Sequence, residues 1–328
     1  MNVVFLGTGP FAIPVLEALH GASMRHPLVA VVTRPDRPQG RGRALAPTPV
    51  RRRAEELGLS PSTPPTINAP EPIAALEALE PDLAIVADYG EILRPAFLET
   101  PRIGAFNLHA SLLPRHRGAA PVAHAILAGD ATTGVTLFRI VKGLDSGPIV
   151  AEEATEIGED ETAGELEARL AALAAGVVER SLDAFATASF TERPQDDSRA
   201  TLAPKLRKEM GLIDWSLPPR SVHDRVRAFR PWPIAYTFLE RQAGRAPERT
   251  AVLRTSLAGA APADADPGTV VAVTDRDISV ACGGGSVRLL ELQRQGGPAL
   301  AAGDYLRGRR LRPGDRFTMP GAGAQSGG

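Results

Sequence analysis

Three side chains near the middle of the chain have the types needed to move an acyl group. Asn107 and His109 stand two residues apart at the end of the apolar run Ile103–Leu108, and Asp145 lies in the turn Gly143–Gly147. Residues two apart on a strand share a face, so the amide and the imidazole would project together. If the carboxylate joins them, the set suits attack of an amine on a small carbonyl. Asn107 would donate an N–H to the oxygen as charge develops there, and removing one such donor costs roughly 3–4 kcal/mol of barrier. An imidazole titrates near neutrality, so His109 would donate when protonated and carry the proton from the attacking ammonium to the leaving nitrogen. Asp145 would hold the ring, directly or through a water. No metal and no covalent intermediate is required. Each residue also has a plain structural reading: a packed histidine, a turn-forming aspartate, a capping asparagine.

These side chains need a frame. Branched apolar runs at Asn2–Gly7, Leu28–Thr33, Asp82–Ala87 and Ile103–Leu108 alternate with helical patterns at Phe11–His20, Thr48–Leu57 and Glu71–Leu79. That alternation predicts an α/β fold with a Rossmann-like parallel sheet covered on both faces. Ligands of such sheets bind beyond the carboxyl ends of the strands, where 107 and 109 fall. Strands at Gly134–Val141 and Ile149–Ile157 flank Asp145, and a long helix at Glu161–Thr187 closes a catalytic domain at 1–188. Residues 189–220 are polar and contain proline, which predicts a linker. Between 221 and 317, short strands at Ala235–Leu239, Arg249–Thr255, Gly268–Val273, Ile278–Ala281 and Val287–Leu292 predict a small OB-like β-barrel. A Gly/Ala/Ser-rich tail at 318–328 is expected to be disordered.

Composition narrows the class. With 328 residues, 43% hydrophobic and 23% charged, about two soluble domains are expected. The net charge of −1 argues neither for nor against a nucleic-acid partner, so only a local basic surface would support one. One cysteine, Cys282, excludes a disulfide framework within the chain and fits a cytoplasmic setting. Met1–His20 has no basic start, and Gly7, Gly9 and Pro10 interrupt its apolar run, so neither a signal peptide nor a membrane span is expected.

Gly7-Thr8-Gly9-Pro10-Phe11-Ala12 follows a strand and opens a helix, matching the dinucleotide fingerprint G-x-G-x-x-A. That match carries an alternative reading, an NADP-dependent oxidoreductase in which Arg34 meets a 2′-phosphate. Pro10 argues against it, because it removes an N–H from the turn that would cradle pyrophosphate. A tight strand-to-helix turn explains the same residues.

At the central block the chain resembles the folate-dependent formyltransferases. The run Asn107-Leu108-His109-Ala110-Ser111-Leu112-Leu113-Pro114 resembles the family's active-site strand and loop, and Asp145 within Gly143–Gly147 matches its third catalytic residue. The resemblance implies 10-formyltetrahydrofolate as the formyl donor. It also implies folate contacts from Ser111, Leu112, Leu113 and Pro114 and from the pterin-pocket wall at Asp88, Tyr89 and Gly90. Arg117-Gly118-Ala119-Ala120-Pro121, the loop Pro35–Arg43, Ile213-Asp214-Trp215 and Arg227–Pro233 are similar to the branch that formylates methionyl-initiator-tRNA. The likeness runs from Asn2 to about Phe317. It departs at Asp88 and Glu91, where apolar residues are commoner, and at Arg230, where Asn is usual. An amino sugar nucleotide is the rival acceptor, since the enzymes acting on it show R-G-R-A-P at 117–121.

The residues give their own support for tRNA. Arg34–Arg53 holds seven arginines (34, 37, 41, 43, 51, 52 and 53) against one acid, Asp36. Arg37, Arg41 and Arg43 would meet a phosphate backbone or an unpaired stem end, with Arg307, Arg309 and Arg310 as a second basic patch. The alternative is an arginine-rich solvated surface. His116 reads as a surface residue, and Trp215 and Trp232 read as packing anchors between domains. A monomer is expected.

Overall fold

A computed structural model describes residues 1–39, 44–240 and 246–319. The expected loop tip with Arg41 and Arg43, and the tail from Pro320, lie outside the described residues. The chain forms two compact units. The first comprises 1–121, 132–156 and 166–204, and the second 122–131, 157–165 and 205 onward.

With elements numbered along the chain, the first unit is built on a six-stranded sheet in the order β2-β1-β5-β6-β7-β8. Strands β1 (Val3–Gly7), β2 (Leu28–Val32), β5 (Leu83–Ala87) and β6 (Gly104–His109) are parallel. β1 and β5 are buried along their whole length, as a sheet covered on both faces requires. β7 (Thr132–Arg139) and β8 (Ile149–Glu156) then run antiparallel at one edge, and the turn between them carries Asp145. A separate hairpin, β3 (Arg37–Gln39) with β4 (Ala44–Ala46), occupies the arginine-rich loop.

Helices α1 (Ile13–Gly21), α2 (Pro49–Glu56), α3 (Pro70–Glu77) and α4 (Pro95–Leu98) join the parallel strands. Thr48 caps α2, accepting from Arg51 N at 3.0 Å, while its hydroxyl pairs with that of Thr33 at 2.7 Å. One apolar layer gathers Val4, Leu6, Val86 and Ala105 beneath Leu76 and Phe97. On the opposite face Phe106 packs against Phe185 with ring centroids 4.6 Å apart. Alternation along β6 therefore puts Asn107 and His109 on the Ala105 face.

The second unit contains α5, whose residues Pro121–Leu127 begin at its border, α7 (Pro219–Ala228) and α8 (Ala302–Gly308). Its seven strands are β9 (Ala235–Leu239), β10 (Glu248–Leu257), β11 (Val270–Val273), β12 (Ile278–Cys282), β13 (Gly285–Arg294), β14 (Ala299–Ala301) and β15 (Phe317–Thr318). The sheet curls until its two ends meet. Val270 N donates to Asp315 O, and Phe317 N to Gly268 O, each at 2.8 Å. Inside lie Val252, Val280, Leu289, Tyr305 and Phe317. Trp215 packs inside the core of this unit, donating to Thr237 Oγ1 at 3.0 Å. Trp232, read as a packing anchor, is instead 51% exposed. The unusual Arg230 forms a two-pronged pair with Glu291, at 2.7 and 3.2 Å.

Helix α6 (Ala163–Ala186) starts on a reciprocal cap. Thr162 N donates to Glu165 Oε2 at 2.9 Å, and Glu165 N to Thr162 Oγ1 at 3.4 Å. The bond from Thr162 N, with help from Arg254 and the Thr162 hydroxyl, pulls the Glu165 carboxyl down to about 2. A depressed folded value stabilises above the ordinary carboxylate range and is lost as pH falls through about 2. Since Glu165 is half exposed, its contribution should stay below ~1 kcal/mol. Chemical denaturation of the wild type and Glu165→Gln should show a constant gap above pH 5 that closes towards pH 2. A gap independent of pH would contradict this account.

Candidate active site

β6 ends at the carboxyl edge of the sheet and delivers Asn107 and His109 there, as their spacing predicts. The chain then doubles back through Ser111–Arg117. Ser111 is fully buried and donates to Arg115 O at 2.7 Å, while Leu113 N donates to Thr136 Oγ1 at 3.1 Å on β7. Leu113 packs with Phe138 and Ile149. Ser111 and Leu113 therefore shape the loop from beneath, and Leu112 and Pro114 are the half-exposed members of that run.

The turn brings the His116 carbonyl to His109. Nε2 of His109 lies 2.9 Å from His116 O. A carbonyl only accepts, so Nε2 carries the hydrogen and Nδ1 is the nitrogen free to exchange a proton. Nδ1 lies 3.9 Å from Asp145 Oδ2, close enough for charge pairing and too far for a hydrogen bond. Direct holding of the ring by Asp145 is thus not the arrangement seen, and the backbone carbonyl does that work. His116, read as a surface residue, is only 5% exposed. The side chain of Asn107 makes no hydrogen bond to another described residue.

Asp145 is fixed from the other side. Gly118 N donates to its Oδ2 at 2.8 Å. Gly118 has φ 127°, and a Cβ there would lie 2.6 Å from Ala203 O, so only glycine brings this N–H to the carboxylate. The sequence offered Gly118 only as part of the R-G-A-A-P run, and its contact with Asp145 spans 27 residues.

The Asp88–Gly90 turn follows β5, the neighbouring strand. Asp88 and Gly90 both take positive φ, 43° and 77°. Tyr89 is buried, and its carbonyl accepts from Thr8 Oγ1 at 2.9 Å. These residues border a cleft of about 290 Å³ shared with Thr8, Gly9, Arg34 and Thr48. The departure at Glu91 has a local cause. Glu91 accepts from Arg34, from Thr66 and from Asn68 Nδ2 at 2.9 Å, so the acid completes a nearly buried polar cluster.

Asp88 settles the first glycine turn. A Cβ on Gly9 would lie 1.8 Å from Asp88 Oδ2, so the glycine admits a carboxylate where a dinucleotide would need its pyrophosphate. Like charge there opposes the oxidoreductase reading. Solvent reaches Asp88, yet the cleft walls reduce its hydration and push its carboxyl up to about 6, with the Gly9 N–H working the other way.

Several expected cations are already neutralised. Arg51 pairs with Asp36 at 2.9 Å, Arg53 with Glu17 at 2.7 Å, and Arg34 with Glu91. In the second unit Arg307 pairs with Asp304 and Arg309 with Glu248. Arg37 and Arg310 are exposed.

A carboxyl raised in the folded state binds protons that the unfolded chain has released. Stability should therefore fall as pH rises from the ordinary aspartate range to about 6. Asp88→Asn should remove that slope and be the more stable protein above pH 6, as thermal melts across pH 4–7 would read. Parallel wild-type and variant curves would refute the assignment.

Comparison with known proteins identifies the family. The formyl transferase model matches residues 1–182, and the formyl transferase C-terminal domain model matches 205–310. A methionyl-tRNA formyltransferase of Methylobacterium nodulans is 44% identical over 317 residues, spanning 97% of this chain and 99% of its own. One from Xanthomonas euvesicatoria pv. vesicatoria is 45% identical over 314 residues, spanning 95% and 99%. Among solved structures, the sugar 3N-formyl transferase WlaRD superposes with a TM-score of 0.64 at 14% identity, covering 91% of this chain and 99% of its own, which shows a shared fold. With both halves matched and relatives aligned nearly end to end, the chain belongs to the formyl transferase family.

Proposed function

We propose that this protein transfers the formyl group of 10-formyltetrahydrofolate to the α-amine of methionine carried by initiator tRNA, for translation initiation. One observation carries the chemistry: His109 is tied by Nε2 to a backbone carbonyl while Nδ1 faces Asp145, beside Asn107 on the same strand face. The acceptor is supported by the relatives named methionyl-tRNA formyltransferase at 44–45% identity. The sequence at 117–121 agrees, reading R-G-A-A-P.

The amine adds to the formyl carbon, and the carbonyl oxygen takes the electron pair of the broken π bond. Asn107 donates its amide N–H to that oxygen. Nδ1 of His109 accepts the proton shed by the amine and returns it to the folate nitrogen as the carbon–nitrogen bond breaks. Asp145 stabilises the imidazolium formed in between. The products are formylated methionyl-tRNA and tetrahydrofolate. Leu112, Pro114 and the Asp88–Gly90 turn contact the folate, with Ser111 and Leu113 supporting them. Arg37 and Arg310, with Arg41 and Arg43 of the loop, contact tRNA phosphates. Arg307 and Arg309 contribute less, because each already faces an acid.

His109→Ala should lower kcat at least ~100-fold, and Asn107→Ala about 100- to 1000-fold, both with KM values little changed. Purified protein given the formyl donor should formylate charged initiator tRNA and not the charged elongator form. Transfer to an amino sugar nucleotide instead would overturn the acceptor, and full activity in His109→Ala would overturn the mechanism.

A further inference from the structure

From the geometry we infer that Gln195, held by Arg117, is a positioning residue for the formyl-transfer site, keeping the Asp145 turn at its working distance from His109. The inference rests on the site proposed above and concerns residues of the first unit only. Its starting point is the backbone of Asp145, which has φ 45°. An L-residue in that region is strained and persists there only where surrounding bonds hold it.

Gln195 supplies two of those bonds. Its Nε2 donates to Asp145 O at 2.8 Å and to Gly147 O at 2.7 Å. Its Oε1 accepts from Arg117 Nε at 3.1 Å and Nη2 at 2.7 Å. All four hydrogen-bonding positions of the amide are used, and its orientation is forced. Reversed, the NH2 would face a guanidinium and the oxygen would face two carbonyls. Arg117 is itself only 8% exposed and is balanced by Asp197 at 2.6 Å.

The strut closes a ring through the site. His116 O holds His109, Gly118 N holds the Asp145 carboxylate, and Arg117 between them holds Gln195, which returns to the Asp145 backbone. The segment carrying Gln195 also clamps the same loop further on. His116 N donates to Thr201 Oγ1 at 2.8 Å, and Ala203 N to Arg117 O at 2.7 Å. The arginine that opens the R-G-A-A-P run thus acts on the reacting groups at second hand. Displacements of about 1 Å in such constellations can cost ~100-fold in rate.

The test uses the full-length protein with the formyl donor and charged initiator tRNA. Gln195→Glu keeps both acceptor positions for Arg117 and loses both donors to the turn. Gln195→Met loses all four bonds without adding charge. Each should lower kcat about 10- to 100-fold, with KM for both substrates within about twofold and melting temperature within a few degrees. A purely structural role would lower the melting temperature and leave kcat per folded molecule intact, which overturns the inference. A raised KM with unchanged kcat would make Gln195 a binding residue and overturns it equally. Should the glutamate variant fail to fold, the methionine variant alone decides by the same criteria. Asp145→Asn is measured alongside. Full rate there sinks the site reading, and the strut with it. Loss there together with full kcat in a folded Gln195 variant sinks the strut alone.

Discussion

The site hangs on the bond between His109 Nε2 and the His116 carbonyl. It fixes which imidazole nitrogen bears the hydrogen, and so leaves Nδ1 to face Asp145. A histidine held by a carboxylate alone could exchange its two nitrogens by turning. Held by a carbonyl on a buried turn, it has one working orientation. That demand explains the fold of 110–118, where the chain must leave β6, bury Ser111 and Leu113, and return a carbonyl to a ring seven residues back.

Charge is spent in the same economical way. Arg34, Arg51, Arg53, Arg307 and Arg309 meet acids within their own units, so counting basic residues overstates the positive surface. Each such pair trades an ion that could attract phosphate for a fixed local geometry. At Arg34 the trade is plainest, since Glu91 also gathers Thr66 and Asn68 and ties the start of the arginine-rich loop to the segment after β5. Asp88 makes the opposite choice, keeping a carboxylate open in a cleft whose walls disfavour its charge.

Much of this was legible from residue order, because the governing physics is local. Alternation of apolar runs and helical patterns recovered the four parallel strands to within a residue or so at most ends. The period of two correctly placed Asn107 and His109 on one face. The curled sheet of the second unit followed from short strands set between turns, although β14, β15 and α8 were too short to leave a pattern.

What no local pattern contains is a contact between distant residues. By itself the sequence determined the parallel sheet, the pairing of Asn107 with His109 at its edge, and the family. The tertiary structure alone decided that His116 is buried to hold a ring, that Gly118 N meets the Asp145 carboxylate, and that Gln195, in a stretch that reads as linker, bonds to the turn. The physical reason is that hydrophobic periodicity reports which face of an element is covered. The partner of a particular donor or acceptor is set by chain segments tens of residues away, and only closing the fold brings them within 3 Å.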